Sequence, residues 1–417
     1  MIQKPKGTLD LYERDGYIFN HLCNSIHDFV SLYNYNYLKI PTFESSSLFY
    51  RGVGDTTDIV NKETYDFYDK GHRQMTLRPE FTAGVVRCLL ENKLYAKNNI
   101  NKFYYIGSCF RYERPQSGRL REFTQFGVEA FGSDSPHMDV EIISFAYNFI
   151  SALGIKNLRV KINSLGDNDS RKKYKEVLLE YLKKDKDNLC DICKERLEKN
   201  PLRILDCKYD NNRDYIKNAP KTIDYLNESS KSFFESVTSG LEELNIPYEV
   251  DSSLVRGLDY YTHTVFEIVS DLKSLGPAST ICGGGRYDNL AEALGGVCSP
   301  GIGFAMGLER IMTILKAEKV YIPDPILDIY VMKLTNTMYA DGLCNELRSY
   351  GYSCEIDYEC KNMKSQWKCV EKLKPTYTLI VGEDEEKGNY VTIKDNLTRE
   401  SVQVPRSELL DYLNTNF

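Results

Sequence analysis

The sequence predicts a mixed α+β chain of two or three domains, and three stretches carry that expectation. Residues 103–131 contain two runs in which polar and apolar side chains alternate, the period of an amphipathic strand pair. From Gly166 to about Lys231 the composition shifts to Lys, Asp and Asn with helical spacing, which reads as an insertion. Beyond Pro323 and Pro325, short strand-like and helix-like segments alternate in a compact α/β unit.

Taken in order, DGYIFNHLCNSIHDFVSLYNY (15–35) has the apolar spacing of a helix, and YLKIPTFESSSLFYRG (37–52) reads as a strand broken by Pro41. In the strand pair, Tyr105, Gly107, Cys109, Arg111 and Glu113 share one face, and Phe123, Gln125, Gly127, Glu129 and Phe131 share one face of the second run. The insertion reads as helices at RKKYKEVLLEYLKKD and PKTIDYLNESSKSFFESVTSGLEEL. A helix starting near Leu308 closes a first domain of 1–322. The second, 325–417, reads strand ILDIYVM, helix GLCNELRSYG, strand YSCEIDY, helix KSQWKCVEKLK, then strands YTLIVG and YVTIKD.

With 417 residues, 42% of them hydrophobic, the chain can fill a substantial core. No run approaches the ~18 apolar residues of a membrane span, and MIQKPKGTLDLYERD lacks an apolar signal region. The chain therefore reads as cytoplasmic with no membrane partner, and its 12 Cys as reduced thiols. Cys190-x-x-Cys193 and Cys207 have the look of a zinc site, but a fourth ligand is not evident in the expected spacing; they read as free thiols and no metal is assigned to them. The net charge of -7 argues against a nonspecific basic coat for nucleic acid, so any RNA contact must come from local patches.

Five segments carry a specific resemblance. Arg111-x-Glu113, the basic loop after it and the strand that follows resemble motif 2 of class II aminoacyl-tRNA synthetases. VRGLDYYTHTVFE (255–267) and GGGRYD (283–288) look like the two signature segments of the histidyl-tRNA synthetase family. TLRPEFTAG (76–84) and GIGFAMGLERI (301–311), the latter similar to class II motif 3, stand in that family's order. The resemblance covers nearly the whole chain. It implies a class II α+β catalytic domain with an antiparallel sheet, a helical insertion reaching toward the tRNA acceptor arm, and a C-terminal α/β anticodon-binding domain. It also implies a homodimer formed around the Pro41 strand, and a histidine–tRNA ligase that activates L-histidine with ATP and Mg²⁺ before transferring it to histidine tRNA. A synthetase-like regulatory subunit would share the core, but usually lacks the C-terminal domain and loses motif residues.

Activation requires a carboxylate to attack the α-phosphorus in line while charge grows on phosphate oxygens, so fixed cations must meet that charge. The resemblance assigns Arg111 to the α-phosphate and the amino-acid carboxylate, Glu113 to the adenine amino group, and Arg119 and Arg310 to the outer phosphates. Arg256 is assigned to the α-phosphate, where a planar, permanently charged guanidinium substitutes for a metal. An imidazole presents one donor and one acceptor; Glu129 and Tyr261 are assigned to its nitrogens. Glu80, Thr82 and Gln125 take the α-amino and carboxylate end, and Tyr287 the pocket wall. Position 81 is Phe where the family commonly has Gly. Arg114 and Gln116 match residues used near the tRNA acceptor end. Lys361, Lys364, Lys368, Lys372 and Lys374 suit phosphate contacts, a pattern that a solvated helix face also gives.

Overall fold

The computed structural model describes residues 1–416 except 55–56, 58, 116–117, 206, 208, 211–212 and 271–279, and it divides into two units, Met1–Tyr321 and Ile322–Phe417. The first unit has strands β1 (Asn36–Tyr37), β2 (Phe43–Ser45), β3 (Tyr65–Tyr68), β4 (Gln74–Leu77), β5 (Asn101–Phe110) and β6 (Glu122–Phe131). β7 (Leu158–Ser164), β8 (Tyr248–Val250), β9 (Thr262–Ser270), β10 (Thr280–Arg286) and β11 (Gly301–Gly307) follow. Eight of them form one sheet in the order β1-β5-β6-β11-β10-β9-β7-β8, antiparallel except at its two edges. β2, β4 and β3 make a separate small sheet.

The alternation in β6 sorts the large sheet into two faces. Phe126 and Val128 point with Phe304 into an apolar layer closed by Phe145 and Phe149 of helix Pro136–Ala152. That helix starts where Ser135 accepts the His137 N–H and Pro136 supplies a preset first turn. Helix Glu13–Leu32 buries Ile18, Leu22, Ile26 and Val30, one residue per turn on one stripe, and packs on helix Leu308–Ala317. The opposite face of the sheet, bearing Gln125 and Glu129, is left open to a cleft.

Residues 37–52 depart from the strand expected there. β2 covers only Phe43–Ser45, and Ser46–Val53 is a helix. Ser46, Leu48, Phe49, Gly52 and Val53 are its buried residues, and their spacing is helical.

The insertion leaves and rejoins the unit at one neck. Asp167 caps helix Asn168–Lys183, Asn227 caps helix Glu228–Glu243, and the two capping side chains bond each other at 2.7 Å. Between them Tyr174, Leu178, Leu182, Leu189, Leu197 and Ile204 form a small core of their own. Glu228–Glu243, read from sequence as part of the insertion, packs instead on Pro136–Ala152 behind the sheet.

The second unit is a five-stranded sheet ordered β13-β12-β14-β15-β16, from β12 (Ile329–Lys333), β13 (Cys354–Ile356), β14 (Tyr377–Val381), β15 (Tyr390–Asp395) and β16 (Ser401–Pro405). β13, β12 and β14 run parallel, so helices Tyr339–Ser349 and Met363–Leu373 serve as crossovers.

Candidate active site

The cleft floor is nearly bare backbone. Gly107, Gly127, Gly283, Gly285, Gly303 and Gly307 of β5, β6, β10 and β11 lie side by side with Ala305 in register. A methyl group on Gly303 would occupy the place of the Glu129 carboxylate, and one on Gly283 that of the Arg256 guanidinium.

An inner cavity of about 130 Å³ opens over this floor, and Glu80, Thr82, Gln125, Glu129, Tyr261 and Tyr287 all line it. Glu129 is at its base. Its carboxylate accepts hydrogen bonds from Thr82 Oγ1 at 2.8 Å, from Tyr105 Oη at 3.1 Å and from Tyr287 Oη. Burial outweighs those donors and pushes its pKa up to about 8. Glu80 is also raised by burial. Its two oxygens accept the Thr82 and Ala83 N–H groups at 2.5 and 3.0 Å, tying it to the start of helix Thr82–Glu91.

A larger outer cavity of about 560 Å³ adjoins the first and is lined by Arg111, Glu113, Arg119 and Arg310. Arg111 donates from Nε to the Pro79 carbonyl at 2.9 Å and lies over the Phe123 ring. Glu113 pairs with Arg119 at 3.3 Å. Arg310 reaches the Thr280 carbonyl at 2.6 Å; burial, and then the neighbouring Arg119 charge, lower its pKa.

Arg256 borders both cavities, as do Arg111 and Gln125. It is paired with Glu267, and although burial opposes its charge, Glu267 overrides that and raises its pKa. Its Nε has no hydrogen-bond partner among the described residues. The face-sharing argument for Arg111 and Glu113 extended past the strand, because β5 ends at Phe110; both nevertheless face the outer cavity. Arg114 is exposed and lines neither cavity, and Gln116 lies outside the described residues.

Sequence reasoning gave Tyr105 and Tyr260 no role in the site, and named Glu267 only as one of two possible partners of Arg256, with Asp259; the structure pairs Arg256 with Glu267. Tyr105 shares a strand face with Gly107 opposite Gln125 and Glu129, a legible signal. Phe81 stacks on Tyr105 with centroids 4.0 Å apart and carries Arg78 on its face, so the residue that replaces the common Gly braces the pocket wall. Arg286 of GGGRYD is fully buried against Asp139 and the Ser133 and Ser135 carbonyls, fastening β10 to helix Pro136–Ala152.

A general description of histidyl-tRNA synthetase matches residues 7–311, three quarters of the chain and all of the cleft. The chain belongs to the histidyl-tRNA synthetase family. Its enzyme class is that of an aminoacyl-tRNA ligase, acting as a histidine–tRNA ligase. Residues 328–416 match the anticodon-binding domain. Histidine–tRNA ligases of Macrococcus caseolyticus and Bacillus subtilis are 44% and 45% identical over 99% of this chain, covering 99% and 98% of their own lengths. The apo histidyl-tRNA synthetase of S. aureus superposes with a TM-score of 0.86 at 37% identity, covering 99% of this chain and 100% of that one. A Bacillus halodurans protein described as an ATP phosphoribosyltransferase regulatory subunit/histidyl-tRNA synthetase shares the fold, at 19% identity, a TM-score of 0.64, and coverage of 92% of this chain and 99% of that one.

Proposed function

We propose that the inner cavity takes L-histidine, the outer cavity takes ATP, and Arg256 meets the α-phosphate where the two join. The position of Arg256 on both linings carries this reading. Glu129 and Tyr261 receive the imidazole nitrogens and Tyr287 holds Glu129. Thr82, Gln125 and the lone pairs that Glu80 leaves free meet the α-amino and carboxylate end. Glu113 takes the adenine amino group, and Arg119 and Arg310 the outer phosphates.

The histidine carboxylate attacks the α-phosphorus, the bond to the bridging oxygen breaks, and pyrophosphate leaves. Arg111 and Arg256 stabilise the charge gathering on the α-phosphate oxygens. The donors also suit Mg²⁺, which favours oxygen ligands and keeps to substrate phosphates. Glu309 lines the outer cavity, accepts the Thr124 N–H on its carboxylate and has no salt-bridge partner among the described residues, so it would hold the ion. The ion would neutralise charge on the β and γ phosphates.

In the second step the terminal ribose hydroxyl of histidine tRNA attacks the adenylate carbonyl. A phosphate oxygen of the adenylate takes its proton, the bond from the carbonyl carbon to the phosphate oxygen breaks, and AMP leaves. Arg114 and Gln116 serve the acceptor end, and the second unit, with Lys364, Lys368 and Lys372 exposed on one helix, serves the anticodon arm. The chain acts as a cytoplasmic homodimer through the small sheet, where Phe43 and Phe67 meet edge-on yet stay half exposed. No described helix is long and apolar enough to cross a membrane. Histidine-dependent ATP–pyrophosphate exchange by the purified chain tests the reading; exchange that is absent, or supported equally by other amino acids, overturns it. A purely regulatory role is disfavoured because Arg111, Arg256 and Arg310 are all retained and face the cavities.

A further inference from the structure

We infer that Cys190, Cys193, Cys207 and Asp210, in the helical insertion, form a binding site for a single zinc ion. The fourth ligand that the cysteine spacing did not supply is Asp210. One ligand atom from each residue lies within 4.8 Å of all the others. The set brings together the start of helix Asp191–Lys199, which Cys190 precedes and Cys193 enters, and the loop after the turn Pro201–Ile204.

Three observations favour an ion over four unrelated side chains. The Cys190 and Cys207 sulfurs are 3.7 Å apart. That is far beyond the ~2.05 Å of a disulfide, and it matches the edge of about 3.8 Å that a tetrahedron with zinc–sulfur bonds of about 2.3 Å requires. Second, Cys193, Cys207 and Asp210 are no more than 2% exposed, and the Asp210 carboxylate sits within 4.8 Å of all three sulfurs. A carboxylate buried among sulfurs is costly unless a cation compensates it. Third, the shell is built: the Tyr209 N–H points at Cys207 Sγ at 3.4 Å and the Cys190 N–H at Asp210 Oδ2 at 3.0 Å, orienting two ligands from outside. Sulfur-rich ligands at this spacing select zinc over magnesium or calcium, and the set is too tight for a multi-iron cluster.

The ion would brace more than the insertion. Between Cys193 and Cys207 the chain carries Asn200, which donates to Asp259 Oδ1 at 3.0 Å, and Arg203, which donates to the Arg256 carbonyl at 3.0 Å. Closing that loop fixes the turn from which both contacts are made.

Elemental analysis of the full-length chain, purified under reducing conditions without a metal-binding tag, should find about one zinc per chain. Replacing zinc with Co²⁺ should give the thiolate charge-transfer and tetrahedral d–d absorption bands. Cys193→Ser should lose the metal. Asp210→Asn, which keeps all three thiols, should weaken zinc binding in a chelator competition by more than the ~10–100-fold typical of losing an outer-shell partner. A chain that is isolated metal-free, with its thiols reduced, and takes up neither added zinc nor cobalt overturns the proposal. So does an Asp210→Asn variant with unchanged zinc affinity. Metal content is read independently of aminoacylation, so this test does not depend on the reading of the cleft.

Discussion

Arg203 donates from Nη1 to the backbone carbonyl of Arg256 at 3.0 Å, joining a turn of the insertion to the segment that carries the bridging guanidinium. Arg171, at the start of the insertion, does the same for the Tyr261 and Asp259 carbonyls, at 2.9 and 3.1 Å. The insertion therefore supports the back of the segment from Arg256 to Tyr261.

Arg203→Ala should lower the rate of adenylate formation roughly 10-fold, since a hydrogen bond from a charged donor is worth about 1.5 kcal/mol or more. Histidine KM should change little. Pyrophosphate exchange at saturating substrates measures it. A lower Tm with an unchanged rate would show that Arg203 only stabilises the fold.

Removing the guanidinium itself should cost more. Arg256→Ala should cut exchange by ~100-fold or more while leaving histidine binding largely intact, as expected for a lost charge stabiliser in a closed site. Arg256→Lys should recover only part of the loss, because an ammonium lacks the planar fork. A folded Arg256→Ala variant with near-normal exchange refutes the role.

Burial sets a pH window for histidine binding. In the free protein Glu129 holds its proton up to about pH 8, and with histidine seated as proposed the complex would hold one proton between the carboxyl and an imidazole whose ordinary pKa is about 6.5. Between those values, free protein and free histidine also hold one in total, so affinity is greatest there. Below the window a proton must leave on binding, and above it one must be taken up. Glu129→Gln should remove the part of the alkaline loss due to the protein and raise histidine KM sharply, with ATP KM little changed. Calorimetry from pH 6 to 9 reads both variants; parallel curves sink the assignment. The same raised pKa means that Glu129 contributes stability in full below its ordinary 4.5 and loses it as pH rises through about 8, so Tm of the ligand-free chain should fall across that range and Glu129→Gln should flatten the fall.

A fragment of residues 1–321 keeps every lining residue of both cavities. It should retain histidine activation and aminoacylate poorly, because phosphate contacts supply a large, salt-dependent share of RNA affinity. Exchange and charging on one preparation decide it. Equal losses in a folded dimeric fragment would make residues 322–417 a structural part of the activating unit.

Much of this was legible because strand parity is a local rule. Gln125 and Glu129 had to share a face, and the structure places both on the cleft. At Arg111 and Glu113 the rule was carried past the end of β5, yet both line the outer cavity; it failed at Ser46–Val53, whose short apolar run fits either period. Glu267 was legible as a possible partner of Arg256, alongside Asp259, and the structure pairs it there; Asp210 beside three thiols was not, because it meets them through tertiary folding. The C-terminal crossovers were read in order, while β16 and the closing helix Leu409–Asn416 were not singled out.

The glycine floor has a consequence for inhibition. A compound seated over Gly127, Gly283 and Gly303 takes its footing from main chain, and almost any replacement there intrudes on Tyr105, Arg256 or Glu129. Resistance by substitution is thereby pushed to the rim, where side chains can change without filling the hole that the natural substrate needs.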